Sequence, residues 1–160
     1  MQPQRRRSGG PDLATFVDPD TALEAAAVLR GAGLHVADES AAEVLIRAGI
    51  PVAAVREFAT MCGLTLAEVG GLLGTSERTL SRKIVSDERL DTAASDRAYR
   101  LFETVAYAVH AFGDVGKALR WLRRDVFSLG WRKPIDLLRT EIGTRHVLSA
   151  LDAVQFGGIV

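Results

Sequence analysis

Apolar residues recur along most of this chain at intervals of three and four, the spacing that lines one face of a helix. Ala22, Leu23, Ala26, Ala27 and Leu29 form the first such run; Asp20 or Thr21 can cap it, and Gly31-Ala32-Gly33 ends it. Ser40 with Glu43 three residues later reads as a capping box for a second helix through Val44, Leu45 and Ile46, stopping at Gly49. Ile50, Val52, Val55 and Phe58 predict a third, closed by Gly63. Thr65-Leu66-Ala67-Glu68 is another capping box, and Leu66, Val69, Leu72 and Leu73 follow it up to Gly74. Ser76 caps the next helix, whose Leu80 and Ile84 lie four apart and face inward. A long amphipathic helix starts near Asp91 or Ser95 and runs to Gly113, and Asp114 caps a short one carrying Ala118, Leu119, Trp121 and Leu122. Pro134 suits the first turn of a helix over Ile135–Leu138, Glu141-Ile142-Gly143 reads as a break, and a last helix starts at Thr144. Period-two alternation is not sustained anywhere, so the expected fold class is all-α.

The pair of helices around Gly74 stands out. A short Gly-containing turn, Leu73-Gly74-Thr75-Ser76, between two helices is the grammar of a helix-turn-helix at about residues 64–84. In DNA binders of this shape the second helix enters the major groove by its N-terminal residues. Thr75, Ser76, Arg78, Thr79, Ser81, Arg82 and Lys83 are therefore the candidate DNA contacts: Arg can bond guanine bidentately, and hydroxyls reach bases or phosphates. Glu77, Asp87 and Glu88 work against phosphate attraction, and a plain helical hairpin with a solvated face accounts for the same pattern.

Composition narrows the classes. The chain has 160 residues, 48% hydrophobic and 25% charged, with 20 basic and 20 acidic residues and one cysteine. That balance excludes a histone-like basic binder, a highly charged disordered chain, a disulfide scaffold and a multi-Cys zinc site. A reducing, cytoplasmic setting fits, and no apolar run is long enough for a membrane span. The zero net charge is unevenly spread: residues 11–49 hold seven acids and two arginines, and residues 97–145 hold ten basic and five acidic residues. Such asymmetry suits a charged macromolecular partner, although a solvated mixed surface gives the same counts. His35, His110 and His146 lie far apart beside no nucleophile motif, and Gly70-Gly71 and Gly157-Gly158 lack the strand and spacing of a phosphate loop. No catalytic residue, cofactor or metal is expected.

Residues 1–20 read as a disordered tail, 21–96 as a helical region containing the helix-turn-helix, and 97–160 as a second helical domain with a flexible end. In that second part, Phe112-Gly113-Asp114, Lys117-Ala118, Trp121-Leu122, Leu129-Gly130, Lys133-Pro134, Asp136-Leu137-Leu138, Gly143 and Val147 form one pattern. It resembles the toxin-binding domain of the Xre/MbcA/ParS antitoxins. The preceding Ser76-Glu77-Arg78-Thr79-Leu80-Ser81-Arg82 is similar to their Xre-type helix-turn-helix, and the resemblance spans roughly residues 50–158. Two departures are visible. Arg123 to Ser128 stands where the family usually has a Pro-Asn-type turn, and Trp131-Arg132 where small residues are commoner.

The resemblance implies an antitoxin that binds and obstructs a RES-domain, NAD-depleting toxin and represses its own operon at operator DNA, often with the toxin as co-repressor. It places toxin contact in 112–160. There Trp121 and Trp131 are core or interface anchors, and Arg139 and Arg145 are basic residues lining the approach. Phe156, Gly157, Gly158, Ile159 and Val160 form an apolar, glycine-loosened tail able to enter a concave site or to fold back on its own domain. A homodimer is expected, because one helix-turn-helix seldom binds an operator well alone. The apolar residues of 97–112 and the acidic N-terminal helices are its candidate surfaces, and a higher toxin–antitoxin assembly would build on it. The rival readings are a helical protein–protein adaptor and a helix-turn-helix regulator with no toxin.

Overall fold

A computed structural model describes residues 30–157. The expected tail at 1–20, most of the expected first helix and the terminal Gly158-Ile159-Val160 lie outside the described residues; only the end of that helix, at Arg30 and Gly31, is seen. The described residues form eight α-helices and one 3₁₀ turn, and extended pairing is confined to two isolated bridges, Pro51 with Arg89 and Val126 with Arg132. The all-α expectation holds.

Helix α1 spans Glu39–Ala48, and its cap is a correction to the sequence reading. Asp38, not Ser40, is the N-cap: its carboxylate accepts from the Ala41 amide at 2.8 Å. An ionised cap gains from the helix dipole as well as from the hydrogen bond, which a serine does not. Glu43 is thereby released from capping and pairs with Arg47 one turn on. Helix α2, Val52–Met61, buries Val52, Val55 and Phe58, and Gly63 beyond it takes the left-handed conformation expected of a C′ residue. Helix α3, Leu66–Leu73, opens on the expected capping box, with the Thr65 amide donating to Glu68 Oε2 at 2.7 Å. Helix α4, Glu77–Val85, is capped by Ser76 and turns Leu80 fully into the core.

The 21-residue helix α5, Thr92–Phe112, organises the molecule. Its first half packs on α1 and α3, its second on helix α6, Val115–Arg123, and on the C-terminal helix. Phe58 of α2 meets Phe102 of α5 with ring centroids 4.2 Å apart, and the Ile50 amide donates to the buried Ser95 Oγ at 2.9 Å. The expected boundary at residues 96–97 thus falls inside α5, and one continuous core serves both halves. The apolar positions offered above as a dimer surface are spent in that core: Leu101, Phe102, Val105, Ala106 and Val109 are buried within the chain. With the α3, α6 and C-terminal helices all available as neighbours, intramolecular burial takes the face first.

After α6 come the 3₁₀ turn Phe127–Leu129, the short helix α7, Pro134–Leu137, and helix α8, Glu141–Gln155. The expected break at Glu141-Ile142-Gly143 does not occur; α8 begins there, capped by Thr140, whose hydroxyl accepts from the Gly143 amide at 3.1 Å. Gly143 is a packing residue. A Cβ on it would overlap the Leu137 carbonyl oxygen at the end of α7.

Candidate binding surfaces

The helix-turn-helix is built from α3 and α4. Its turn depends on two glycines. Gly74 takes the left-handed conformation at φ 70°, and Gly70 lets the chain of the turn pass so close that a Cβ would sit 2.8 Å from the Thr75 carbonyl oxygen. This is the role of the first glycine in Gly70-Gly71. Arg97 of α5 donates to the Leu73 carbonyl at 3.0 Å and so fixes the turn from behind, a role the sequence does not signal because it joins residues 24 apart.

The seven residues offered as DNA contacts divide into two sets. Arg78, Ser81 and Arg82 are exposed on one side of α4, away from buried Leu80. Thr75, Ser76, Thr79 and Lys83 have structural work. The Thr75 amide donates to the Gly70 carbonyl, and Ser76 caps α4 while its Oγ bonds Thr79 Oγ1 at 2.8 Å. Half-buried Lys83 places Nζ 2.8 Å from Glu88 Oε2 and 3.3 Å from the Arg89 carbonyl. That bond from Lys83 holds the Glu88 carboxyl below the usual carboxylate range.

The C-terminal candidates also separate. Trp121 is 2% exposed, its ring 5.7 Å from that of Phe112, so it is a core residue and not a contact surface as offered above. An apolar ring at a helix position facing α5 is worth more inside than out. Trp131 is the opposite case, 67% exposed. Arg139 turns back toward the helix-turn-helix: its guanidinium lies 3.4 Å from where a Cβ on Gly71 would stand. Arg145 is exposed on α8, and Phe156 is exposed at its end, followed by left-handed Gly157. Gly158, Ile159 and Val160 lie outside the described residues.

Three features escaped the sequence reading. Phe127, also exposed, stacks edge-on against Trp131; its position in a non-periodic stretch concealed it. Arg123 of α6 donates to the Gly63 carbonyl, tying the second half to the start of the helix-turn-helix. Tyr107 of α5 donates to Asp152 of α8, and Gln155 bonds His110 at 3.1 Å. Cys62 is buried, and burial pushes its thiol up to about 12, with Arg123 pulling weakly the other way; it is a structural thiol. No group of three or more His, Cys, Asp or Glu is placed to hold a metal among the described residues, and no described helix is long and apolar enough to cross a membrane.

A helix-turn-helix with an exposed arginine pair, sharing a core with a second helical domain, defines a helix-turn-helix protein with an appended domain. Comparison with known proteins gives the family. Residues 41–103 match the antitoxin Xre-like helix-turn-helix domain, and residues 107–157 match the antitoxin Xre/MbcA/ParS C-terminal toxin-binding domain. The chain is 29% identical over 140 residues to antitoxin Xre of Yersinia enterocolitica, covering 87% of this chain and 95% of that protein. It is 37% identical over 80 residues to antitoxin Xre of Pseudomonas putida, covering 50% of each. Among solved structures, a chain of the M. tuberculosis MbcT-MbcA toxin–antitoxin complex superposes with a TM-score of 0.51 at 28% identity, over 64% of this chain and 90% of that one. The chain belongs to the Xre family of antitoxins, with a helix-turn-helix followed by a toxin-binding domain.

Proposed function

We propose that this antitoxin neutralises a RES-domain, NAD-depleting toxin through residues 97–160 and represses its own operon through the helix-turn-helix at about residues 64–84 within the helical region 21–96. It acts in the cytoplasm as a homodimer that enters a larger toxin–antitoxin assembly. The observation that carries the DNA half is the exposed pair Arg78 and Arg82 on the α4 face opposite buried Leu80, four residues apart and so on one side of the helix. Arg139 over Gly71 and Arg123 on the Gly63 carbonyl support coupling between the halves, since both link the toxin-binding segment to α3 or the turn before it. The RES class of the toxin rests on the family resemblance. Trp131, Arg145 and the segment from Phe156 to Val160 are the proposed toxin contacts that remain accessible or lie outside the described residues.

The test is a gel-shift titration on the DNA upstream of the gene, with and without the neighbouring toxin. Replacing Arg78 and Arg82 with Ala should weaken binding by more than ~2 kcal/mol, given ~1–3 kcal/mol for each base contact. The fold should survive, because the Ser76 cap and Leu80 are untouched. Absence of salt-sensitive DNA binding by the unaltered protein, even with the toxin present, would sink repression and leave a protein–protein adaptor.

A further inference from the structure

The loop between α6 and α7 presents a pair of aromatic rings in a fixed pose. The Val126 carbonyl accepts from the Leu129 amide at 3.1 Å and from the Trp131 amide at 3.0 Å, the Val126 amide donates to the Arg132 carbonyl at 3.2 Å, and Arg132 Nε returns to the Leu129 carbonyl at 3.0 Å. The loop is therefore closed on itself by backbone bonds. Leu129 anchors it in the core, whereas Phe127 and Trp131 project outward, each 67% exposed, with ring centroids 5.5 Å apart in an edge-on arrangement.

Trp131 is also one of two non-glycine residues with positive φ, at 57°, among the described residues. A bulky side chain there crowds its own backbone, and such a conformation persists only where the surroundings over-determine it. Folding stability does not explain the choice of residue. The ring is solvent-exposed, and glycine would hold the same backbone without crowding. Two large apolar rings held rigid in water at a backbone cost are what a binding hot spot requires: high contact area and little entropy to lose on association.

We propose that Phe127 and Trp131 form a preorganised aromatic anchor that seats in an apolar pocket of the toxin. The inference rests on the toxin-binding reading above. The occupant follows from position: both rings lie inside residues 107–157, the stretch that matches the toxin-binding domain. Arg132 and Lys133 beside them supply a charged rim to the contact.

The experiment uses the full chain, the toxin encoded by the adjacent reading frame, and the variant Trp131→Gly. The glycine removes the ring and relieves the backbone together. The expected result is an unchanged or higher thermal midpoint with affinity for the toxin lowered ~30-fold or more, as for a hot-spot tryptophan. Phe127→Ala should lower affinity in the same direction. The chain has two tryptophans, so 5-fluorotryptophan labelling gives two ¹⁹F signals. Toxin should shift that of Trp131 and leave that of buried Trp121. If the unaltered chain binds the toxin and Trp131→Gly binds equally well, the anchor is wrong and the toxin-binding reading stands. If the unaltered chain does not bind, that reading fails and the anchor with it. Loss of fold in Trp131→Gly would make the ring structural. Loss of self-association alone would make a second copy the occupant. Either result overturns the proposal.

Discussion

Single atoms decide what several residues do here. Gly143 and Gly116 both sit in helices, where alanine is the better helix former by up to ~1 kcal/mol. Their surroundings reverse the outcome. A Cβ at Gly143 would overlap the Leu137 carbonyl, which is backbone and cannot swing away. One at Gly116 would meet Arg120 Nη1 at 3.3 Å, the end of a flexible side chain, and Asp114 Oδ1 at 3.2 Å, which the Lys117 amide holds as the cap of α6 but which needs to give by only a few tenths of an ångström. Gly143→Ala should therefore destabilise by ~1–3 kcal/mol, the usual cost of overpacking. At Gly116 the helix-propensity gain and the crowding of the Asp114 cap offset each other, and Gly116→Ala should stay within ~1 kcal/mol of the parent. Urea denaturation of the two variants checks the contrast; equal effects would refute the packing role of Gly143. The two tryptophans make the same point. Both read as anchors in the sequence, yet Trp121 faces α5 and is buried, and Trp131 stands in solvent.

Helix α5 carries a conflict between burial and charge that titration can expose. Glu103 sits on its face toward α1. Burial raises its carboxyl above the usual range, the Tyr99 hydrogen bond opposes this, and nearby Glu39 of α1 adds to the rise. A raised carboxyl favours the protonated form in the fold. The stability it contributes is full below the unfolded value of 4.5 and is lost as pH rises through the folded value. At neutral pH the charged form is a burden on the α1–α5 contact. Glu103→Gln keeps an acceptor for Tyr99 and removes that burden. The variant should melt above the parent at pH 7, and the difference should vanish near pH 4, where both side chains are neutral. A gain of equal size at both pH values would show that charge is not the cause.

At the scale of the molecule, the two halves share a core. Phe102 lies beyond the expected boundary but packs on Phe58, and Arg97 holds the turn of the helix-turn-helix. The division between the helix-turn-helix and the toxin-binding domain is therefore one of surface, with folding common to both. The full chain should unfold in a single transition that coincides by far-ultraviolet circular dichroism and tryptophan fluorescence. A fragment ending at residue 96 loses Phe102, Leu101 and Val105 from its core and should show no cooperative melting. A sharp transition in that fragment would mean that the helix-turn-helix folds alone.

Local chemistry determined much of this protein from the sequence alone. The caps at Thr65, Ser76 and Asp114 and the stops at Gly63, Gly74 and Gly113 act within a turn or two, so the end of α2, the starts of α3, α4 and α6 and the ends of α3 and α5 were legible from the sequence. The start of α5 was left between Asp91 and Ser95, and the structure takes Asp91. The helix-turn-helix followed from that local grammar, as did the exposed side of α4. The start of α1 was not, because Asp38 and Ser40 are both good caps and only the built helix chooses between them. Gly143 looked like a break because its reason for being small is the Leu137 carbonyl, brought to it by the turn from α7. Lys83, Arg97, Arg123 and Arg139 are long side chains whose partners are set by the approach of distant helices; periodicity assigns them a face but not a contact. Which aromatic is core and which is surface is likewise a tertiary decision, since a hydrophobic ring is buried only if a neighbouring element arrives to cover it.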